Sequence, residues 1–168
     1  MAVSGVSRGI DRDRLQVYSV EDAWSSALDR GGDVDFFGSH FTLPRQQVLP
    51  DLGALQETVD RWLASASRLA WYPQCSPVRV RARQGQTRAH YEATGVIAIP
   101  LSLPWACRES VLAHELAHHL AWDAQESAHD AHFRLAMVRV AEIAFGPEAA
   151  LMLRAGYDGA GLGVTYVD

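Results

Sequence analysis

The pentapeptide HELAH at residues 114–118 constrains this 168-residue chain more than any other feature. It is an HExxH motif inside an apolar segment, 108–122, that predicts a helix. On a helix, His114 and His118 lie one turn apart on the same face, so both rings can bind one metal ion. Glu115 is rotated by about 100° from His114, where it can hold a water on that metal without being a ligand.

This motif predicts a zinc site with hydrolytic chemistry. Imidazole nitrogens bind Zn²⁺ at about 2.0–2.1 Å, and zinc lowers the pKa of its bound water to about 7. Glu115 is then the general base that takes the proton from this water. At this composition the motif is expected by chance roughly 0.014 times, so we treat it as a site. We expect a zinc-dependent hydrolase, and a metallopeptidase in particular.

A third protein ligand has to come from outside the motif. His129 lies eleven residues after His118, His132 lies one helical turn further, and Glu126 is a weaker candidate. A catalytic zinc keeps one position open for water, so we expect only one of these two histidines to bind it. His119 points away from the ligand face, which favours a packing or supporting role.

The sequence HELAHHL followed by AHDAHF resembles the SprT-like zincins, in which a histidine shortly after HExxH is the third ligand. Four further stretches are similar to a narrower family of metallohydrolases from actinobacteria and their phages, for which the resemblance establishes no substrate. They are RDRLQVYSVED, PVRVRARQGQTRAHYE, VIAIP and FGPEAALMLRAGY, and they extend the resemblance from about residue 11 to 157.

The resemblance implies a minimal zincin-like domain with His114, His118 and His129 as metal ligands. It also implies Glu115 as the catalytic acid/base. The chain departs from the family pattern at residues 130–131, where Asp-Ala replaces the usual Gly-Pro. Because the lost glycine can alter how the chain enters the next helix, His132 stays open as the alternative third ligand.

The composition and charge of the chain exclude several classes of protein. With 48% hydrophobic and 21% charged residues, the chain reads as one globular domain, 1–168, with flexible ends expected at 1–11 and 158–168. A net charge of −5 argues against a broad basic face for DNA or anionic membranes. No apolar run of about 18 residues and no secretory signal is present, so we expect a cytoplasmic protein. Two cysteines, Cys75 and Cys107, are too few for a cysteine-based zinc knot.

The order of predicted elements indicates an α+β fold with a small antiparallel or mixed sheet packed against helices, one of which carries HExxH. The predicted elements, in order, are a helix from Ser19 to Gly31, a short strand within Phe36–Leu43, a helix capped by Asp51, a break at Trp71-Tyr72-Pro73, a strand over Val78–Arg83, a turn at Gly85-Gln86, strands over His90–Glu92 and Val96–Ile99, the HExxH helix, a helix led by Phe133, and a last helix from Pro147 to about Gly156.

The strand over Val96–Ile99 has two interpretations. The resemblance implies that the strand nearest the metal helix exposes its edge and pairs with an extended peptide substrate, and Pro100 fits an edge strand. The alternative is a core strand with Ile97 and Ile99 buried on one face. The two interpretations are compatible, and we weigh them equally.

A hydrolase of this kind also needs a group that stabilises the oxyanion beside the metal. Asp123 and Glu126 can orient a ligand histidine, but exposed surface charge is the favoured interpretation for both. The sequence offers five residues for the oxyanion role and does not choose among them: Tyr91, His90, His132, Arg134 and Tyr157.

Two other functions compete with the metallopeptidase. The domain can be a zinc-containing binding module that is inactive or waits for a partner, although an intact Glu115 argues against a decayed site. It can also be a nucleic-acid-associated SprT-like protease, through Arg79, Arg81 and Arg83 on one strand face with Arg88 nearby. A solvated strand face is favoured over nucleic-acid binding, because the chain is acidic overall. The expected partner is therefore a peptide or protein substrate.

Overall fold

A computed structural model of the chain describes residues 9–85 and 88–164. These residues form an α+β fold, as expected, with six helices and two small sheets. In the same residues, no helix has both the length and the apolar character needed to cross a bilayer. The elements are α1 Arg14–Arg30, β1 Gly32–Phe36, β2 Ser39–Leu43, α2 Leu52–Leu63, α3 Ala66–Trp71, β3 Arg79–Ala82, β4 His90–Glu92, β5 Val96–Ile99, a 3₁₀ turn Pro104–Cys107, α4 Glu109–Ala121, α5 Ala131–Phe145 and α6 Pro147–Gly159.

The three-stranded sheet has the order β3-β5-β4. β5 runs parallel to β3 and antiparallel to β4, so both of its edges are paired, and all four of its residues are buried. The expectation that Val96–Ile99 is an edge strand is therefore wrong, and the core-strand interpretation is correct. Within the described residues the edge strand beside α4 is β4, which packs against that helix.

Helix α1 begins at Arg14, five residues before the predicted start at Ser19. Ser19 lies inside the helix because the buried face begins earlier, with Val17, and continues through Glu21, Trp24 and Leu28. These positions follow the i, i+4, i+7, i+11 spacing of one helix face. A carboxylate, Glu21, thus occupies a position in an otherwise apolar stripe.

The short strand predicted within Phe36–Leu43 is confirmed as β2. It pairs with β1 in a hairpin, because Phe37 and Gly38 both adopt positive φ angles (49° and 79°) and reverse the chain between β1 and β2. The short helix α3 precedes the predicted break at 71–73, and Ser65 caps it by accepting the Arg68 N–H. The turn expected at Gly85-Gln86 lies partly outside the described residues.

Helix α4 packs on α5, and α5 packs on α6. Helix α1 packs against this group through α6. The α1–α6 contact is close at Gly156, where an added Cβ would lie 2.8 Å from Val20 Cγ1. The indole N–H of Trp24 also crosses this contact and donates to the Ala149 carbonyl at 2.9 Å. The core beneath α4 contains fully buried Phe133 and Tyr157.

Both ends of the described chain make specific contacts in segments that the sequence analysis expected to be flexible. The Gly9 N–H donates to the Glu126 carbonyl at 2.9 Å, which holds the N-terminal segment across the loop between α4 and α5. At the other end Leu162 is buried, and the Arg134 guanidinium donates to the Gly163 carbonyl. These contacts bring both ends of the described chain to the start of α5.

Asp130 caps α5. Its Oδ1 accepts the N–H groups of His132 and Phe133, and its Oδ2 accepts that of Glu126 at 2.7 Å. We predict that Asp130→Ala lowers the free energy of unfolding of the metal-free protein by about 1–2 kcal/mol, because these donors lose their acceptor. Urea unfolding monitored by circular dichroism measures it. The exposed Asp158→Ala should change stability by less than about 0.5 kcal/mol, and equal losses in both variants would contradict the capping role.

Candidate metal centre

Helix α4 places the HExxH side chains together in the interior. His114 and Glu115 are each 6% exposed, and His118 is half-buried. The His114 and His118 rings lie on one face with their centroids 4.9 Å apart. The helical spacing of the motif therefore produces the pair of rings that the sequence predicts.

His129 joins this pair from the loop that precedes α5. Its ring centroid is 5.2 Å from that of His114 and 5.0 Å from that of His118. One nitrogen from each of the three rings lies within 4.8 Å of the others. Two ligands of a tetrahedral zinc are about 3.3 Å apart, and the Nε2 atoms of His114 and His129 are separated by 3.3 Å. The three rings are thus compatible with one metal ion.

A buried carboxylate from α1 holds His114. Glu21 Oε2 lies 2.5 Å from His114 Nδ1, and Glu21 Oε1 accepts the Tyr157 hydroxyl at 2.6 Å. Both oxygens of Glu21 are therefore used, and Nε2 of His114 is left facing the other two rings. A carboxylate on the far nitrogen is the usual support of a metal-binding histidine.

His129 is held in the same way by the N-terminal segment. Asp11 Oδ2 lies 2.7 Å from His129 Nδ1. Arg134 donates to the His129 carbonyl at 2.7 Å and to Asp13 at 2.8 Å, which fixes the backbone of the loop against α1. Nε2 of His129 consequently faces the shared point.

Gln125 supports the third ring. Its Nε2 donates to the Ala128 carbonyl at 2.8 Å and lies 3.3 Å from His118 Nδ1. Its Oε1 is buried and has no hydrogen-bond partner among the described residues. A metal bound through His118 Nε2 requires the proton on Nδ1, and this proton needs an acceptor. As placed, the amide directs its N–H₂ group at Nδ1, so Oε1 can accept this proton only after the amide turns over.

Electrostatics make the metal-free cluster hold a proton. Burial lowers the pKa of His114, but the Glu21 carboxylate outweighs this and brings it to about 9. Burial lowers the pKa of His129, and the charge on His114 lowers it further. His114 Nε2–H then donates to His129 Nε2 across the 3.3 Å gap. A bound cation would displace this proton, so metal binding and proton release are coupled.

Aromatic rings enclose the three imidazoles. The ring centroid of Phe133 lies 4.4–4.9 Å from the centroid of each imidazole. Tyr18 of α1 stacks on His114 at 5.5 Å with an interplanar angle of 17°, and meets His129 edge-on at 5.2 Å. Phe133 thus packs against the imidazoles from α5, and Tyr18 packs against them from α1.

Glu115 faces a cavity of about 620 Å³ that His114 also lines. Burial raises the pKa of the Glu115 carboxyl, the charge on His114 lowers it, and Glu21 raises it again. The backbone N–H of Tyr91 in β4 hydrogen-bonds this carboxylate. Glu115 thus has the position of a proton acceptor between the imidazole cluster and an open space.

The other candidate ligands lie outside the cluster. The side chain of His132 is 34% exposed, and its Nδ1 is 3.8 Å from the Asp130 carboxylate. Glu126 is exposed. His119 is a supporting residue, as expected, because its Nε2 donates to the Ser76 carbonyl at 2.8 Å and its Nδ1 pairs with the Tyr91 hydroxyl at 2.9 Å. The structure therefore groups His129, and not His132, with the motif.

None of the five oxyanion candidates is among the described residues that line the cavity. Tyr91 pairs with His119, Tyr157 donates to Glu21, and His90 lies between Arg83 and Glu92 on the sheet. Tyr157 and Arg134 support the ligand histidines instead. Asp123 and Glu126 are both exposed, which confirms the favoured interpretation as surface charges, and Glu21 and Asp11 orient ligand rings instead.

Sequence reasoning missed Asp11, Tyr18, Glu21 and Gln125. The signal for Glu21 was present, because a carboxylate in an apolar helix stripe requires a buried partner. Tyr18 lies one turn from Glu21 on α1 and carried no comparable signal. No known family model, curated protein or solved structure matches the chain.

We predict that His129→Ala loses zinc and that His132→Ala keeps it. Removing one of three imidazole ligands should weaken zinc binding by at least about 10²-fold, whereas His132 lies outside the cluster. Zinc per protein chain after gel filtration, measured by mass spectrometry, distinguishes the variants. Zinc loss in His132→Ala with full retention in His129→Ala would contradict the ligand set.

The Glu21 carboxylate should contribute to metal affinity through His114. Glu21→Gln keeps the size and an acceptor oxygen but removes the charge, so we expect zinc affinity to fall about 10-fold. Competition with a fluorescent chelator measures the change. The exposed Glu142→Gln on α5 is the matched control and should bind like the wild type. An unchanged affinity in Glu21→Gln would show that the charge is unimportant.

Proposed function

We propose that this protein is a zinc-dependent hydrolase, specifically a metallopeptidase with a minimal zincin-like domain similar to the SprT-like proteins. The observation that carries the proposal is the convergence of three imidazoles beside a buried glutamate that faces a cavity. Carboxylates hold two of these rings at Nδ1, which is the usual support of a metal-binding histidine. Zinc is the natural occupant of three neutral imidazoles with an open fourth position.

Bound zinc would supply an acidified water and polarise the carbonyl of a substrate. Glu115 would take the proton from that water and pass it to the leaving amine. Its burial supports this role. Burial raises the pKa of the Glu115 carboxyl, which makes its carboxylate a stronger base than an exposed one. The Tyr91 backbone N–H keeps the carboxylate oriented without neutralising it.

The sheet supports a peptide as substrate. β4 is the edge strand beside α4, and its Tyr91 N–H also holds the catalytic carboxylate. An extended peptide laid along β4 would pass directly by Glu115, in the mode of strand addition. The edge role expected for β5 belongs to β4 in this proposal.

The competing functions receive less support. A binding module has no need of a buried carboxylate that shares a cavity with the imidazole cluster. The arginine row is largely engaged within the protein: Arg81 pairs with Glu92, and Arg83 donates to the Arg88 carbonyl. Side chains that are engaged in this way are poorly placed to bind phosphates, so we favour peptide hydrolysis over a nucleic-acid-directed protease.

Glu115→Gln tests the mechanism. The amide keeps the shape of the side chain but cannot accept a proton, so we expect hydrolysis of fluorescein-labelled casein to fall by at least about 10²-fold. Zinc content should stay at one per chain. A chelator should abolish the wild-type activity, and added zinc should restore it.

Glu109→Gln on the same helix is the matched control, since its carboxylate lies outside the cavity and accepts the Gln47 N–H. It should hydrolyse casein like the wild type. Full activity in Glu115→Gln would remove this residue from the mechanism.

A further inference from the structure

Tyr18 and Arg88 join His114 and Glu115 in the wall of the cavity. The Tyr18 ring is nearly parallel to His114, at 17° and 5.5 Å, and its edge meets His129. Burial raises the pKa of Tyr18, the Glu115 carboxylate raises it further, and Arg88 lowers it. The phenol is therefore near the proposed base and remains an O–H donor at neutral pH.

Arg88 determines where that O–H hydrogen can go. The guanidinium lies over the Tyr18 ring, with Cζ 4.5 Å from the centroid, and its charge lowers the pKa of the hydroxyl. A guanidinium has only donors, so Arg88 cannot accept the hydroxyl hydrogen. The hydroxyl hydrogen is left to donate elsewhere, and the structure gives it no protein acceptor among the described residues.

Several other polar groups of the cavity wall already have protein partners. Ser25 and Ser110 bond each other at 2.8 Å, Trp24 donates across to α6, and Arg108 pairs with Asp29 at 3.2 Å. These donors are used by the fold. The Tyr18 hydroxyl differs from them because it has no hydrogen-bond partner among the described residues.

We propose that Tyr18 is a catalytic residue whose hydroxyl donates a hydrogen bond to the carbonyl oxygen of the scissile bond, and that Arg88 is the residue that positions it. This inference rests on the proposed hydrolase function. Negative charge develops on that oxygen during attack, and a preorganised donor stabilises it more than it stabilises the substrate. No proton transfer is required of Tyr18.

Tyr18→Phe separates this role from a purely structural one, because the ring that stacks on His114 is kept. In the zinc-loaded full chain we expect the saturated rate of casein hydrolysis to fall by about 10–10³-fold. The casein concentration at half-saturation and the zinc content should change little. Phenylphosphonate has tetrahedral oxygens that resemble the adduct formed when water attacks the carbonyl. Calorimetry should show that it binds Tyr18→Phe about 10-fold more weakly than the wild type.

Tyr72→Phe is the matched control. Tyr72 also lies under a guanidinium, with Arg139 Cζ 5.4 Å from its ring centroid, but it is outside the cavity lining. Neither hydrolysis nor phenylphosphonate binding should change in Tyr72→Phe. Equal losses in both variants would mean that the hydroxyl acts through stability alone and would overturn the inference.

Arg88→Met tests the positioning role. We expect a smaller loss of rate than in Tyr18→Phe, and no further loss when the two substitutions are combined, because Arg88 acts through Tyr18. A double variant in which the two losses multiply would show that Arg88 contacts the substrate independently, which would overturn its assignment.

The two proposals fail in different ways. If Glu115→Gln is inactive while Tyr18→Phe hydrolyses casein and binds phenylphosphonate like the wild type, the Tyr18 inference alone is wrong. If the zinc-loaded wild type hydrolyses no casein, the hydrolase proposal loses its support. Phenylphosphonate affinity of Tyr18→Phe still decides whether the Tyr18 hydroxyl donates to a ligand in the cavity.

Discussion

The hydrogen bond between Glu21 and His114 is the interaction on which the rest of the site depends. It joins side chains 93 residues apart in sequence, both of them buried. A buried carboxylate is costly unless its oxygens are satisfied, and Glu21 meets this condition with His114 on one oxygen and Tyr157 on the other. The three residues come from α1, α4 and α6, so one carboxylate fixes the relative positions of three helices and the direction of one imidazole.

The same principle extends to the other two rings, with different partners. Asp11 comes from the segment before α1 and Gln125 from the loop after α4. Each ring is thus oriented by a residue outside the HExxH motif, and the remaining nitrogens face one point. The packing of Phe133 and Tyr18 around these rings keeps the polar contacts in an apolar surrounding, where they are stronger than in water. The fold therefore supplies the orientation that the motif alone does not.

The sequence predicted the parts of the site that depend on local periodicity. The spacing of HExxH and the helical character of α4 were enough to place His114 and His118 on one face. The choice between His129 and His132 depended on the path of the loop, which Asp130 sets by capping α5 with its carboxylate.

The errors came from contacts between distant segments. The apolar run of β5 is compatible with an edge or a central strand, and only its pairing with both β3 and β4 decides between them. Asp11 reaches a partner 118 residues away, and no local pattern encodes such a pair. Helix α1 shows the same limit, because treating Ser19 as a cap placed Tyr18 outside the helix.

X-ray absorption at the zinc edge tests the central claim most directly. For protein loaded with one equivalent of zinc, the three converging imidazoles predict three ring nitrogens at about 2.0–2.1 Å with an oxygen ligand completing the shell. A zinc environment with fewer than three imidazoles, or one that binds through sulfur, would contradict the arrangement of His114, His118 and His129.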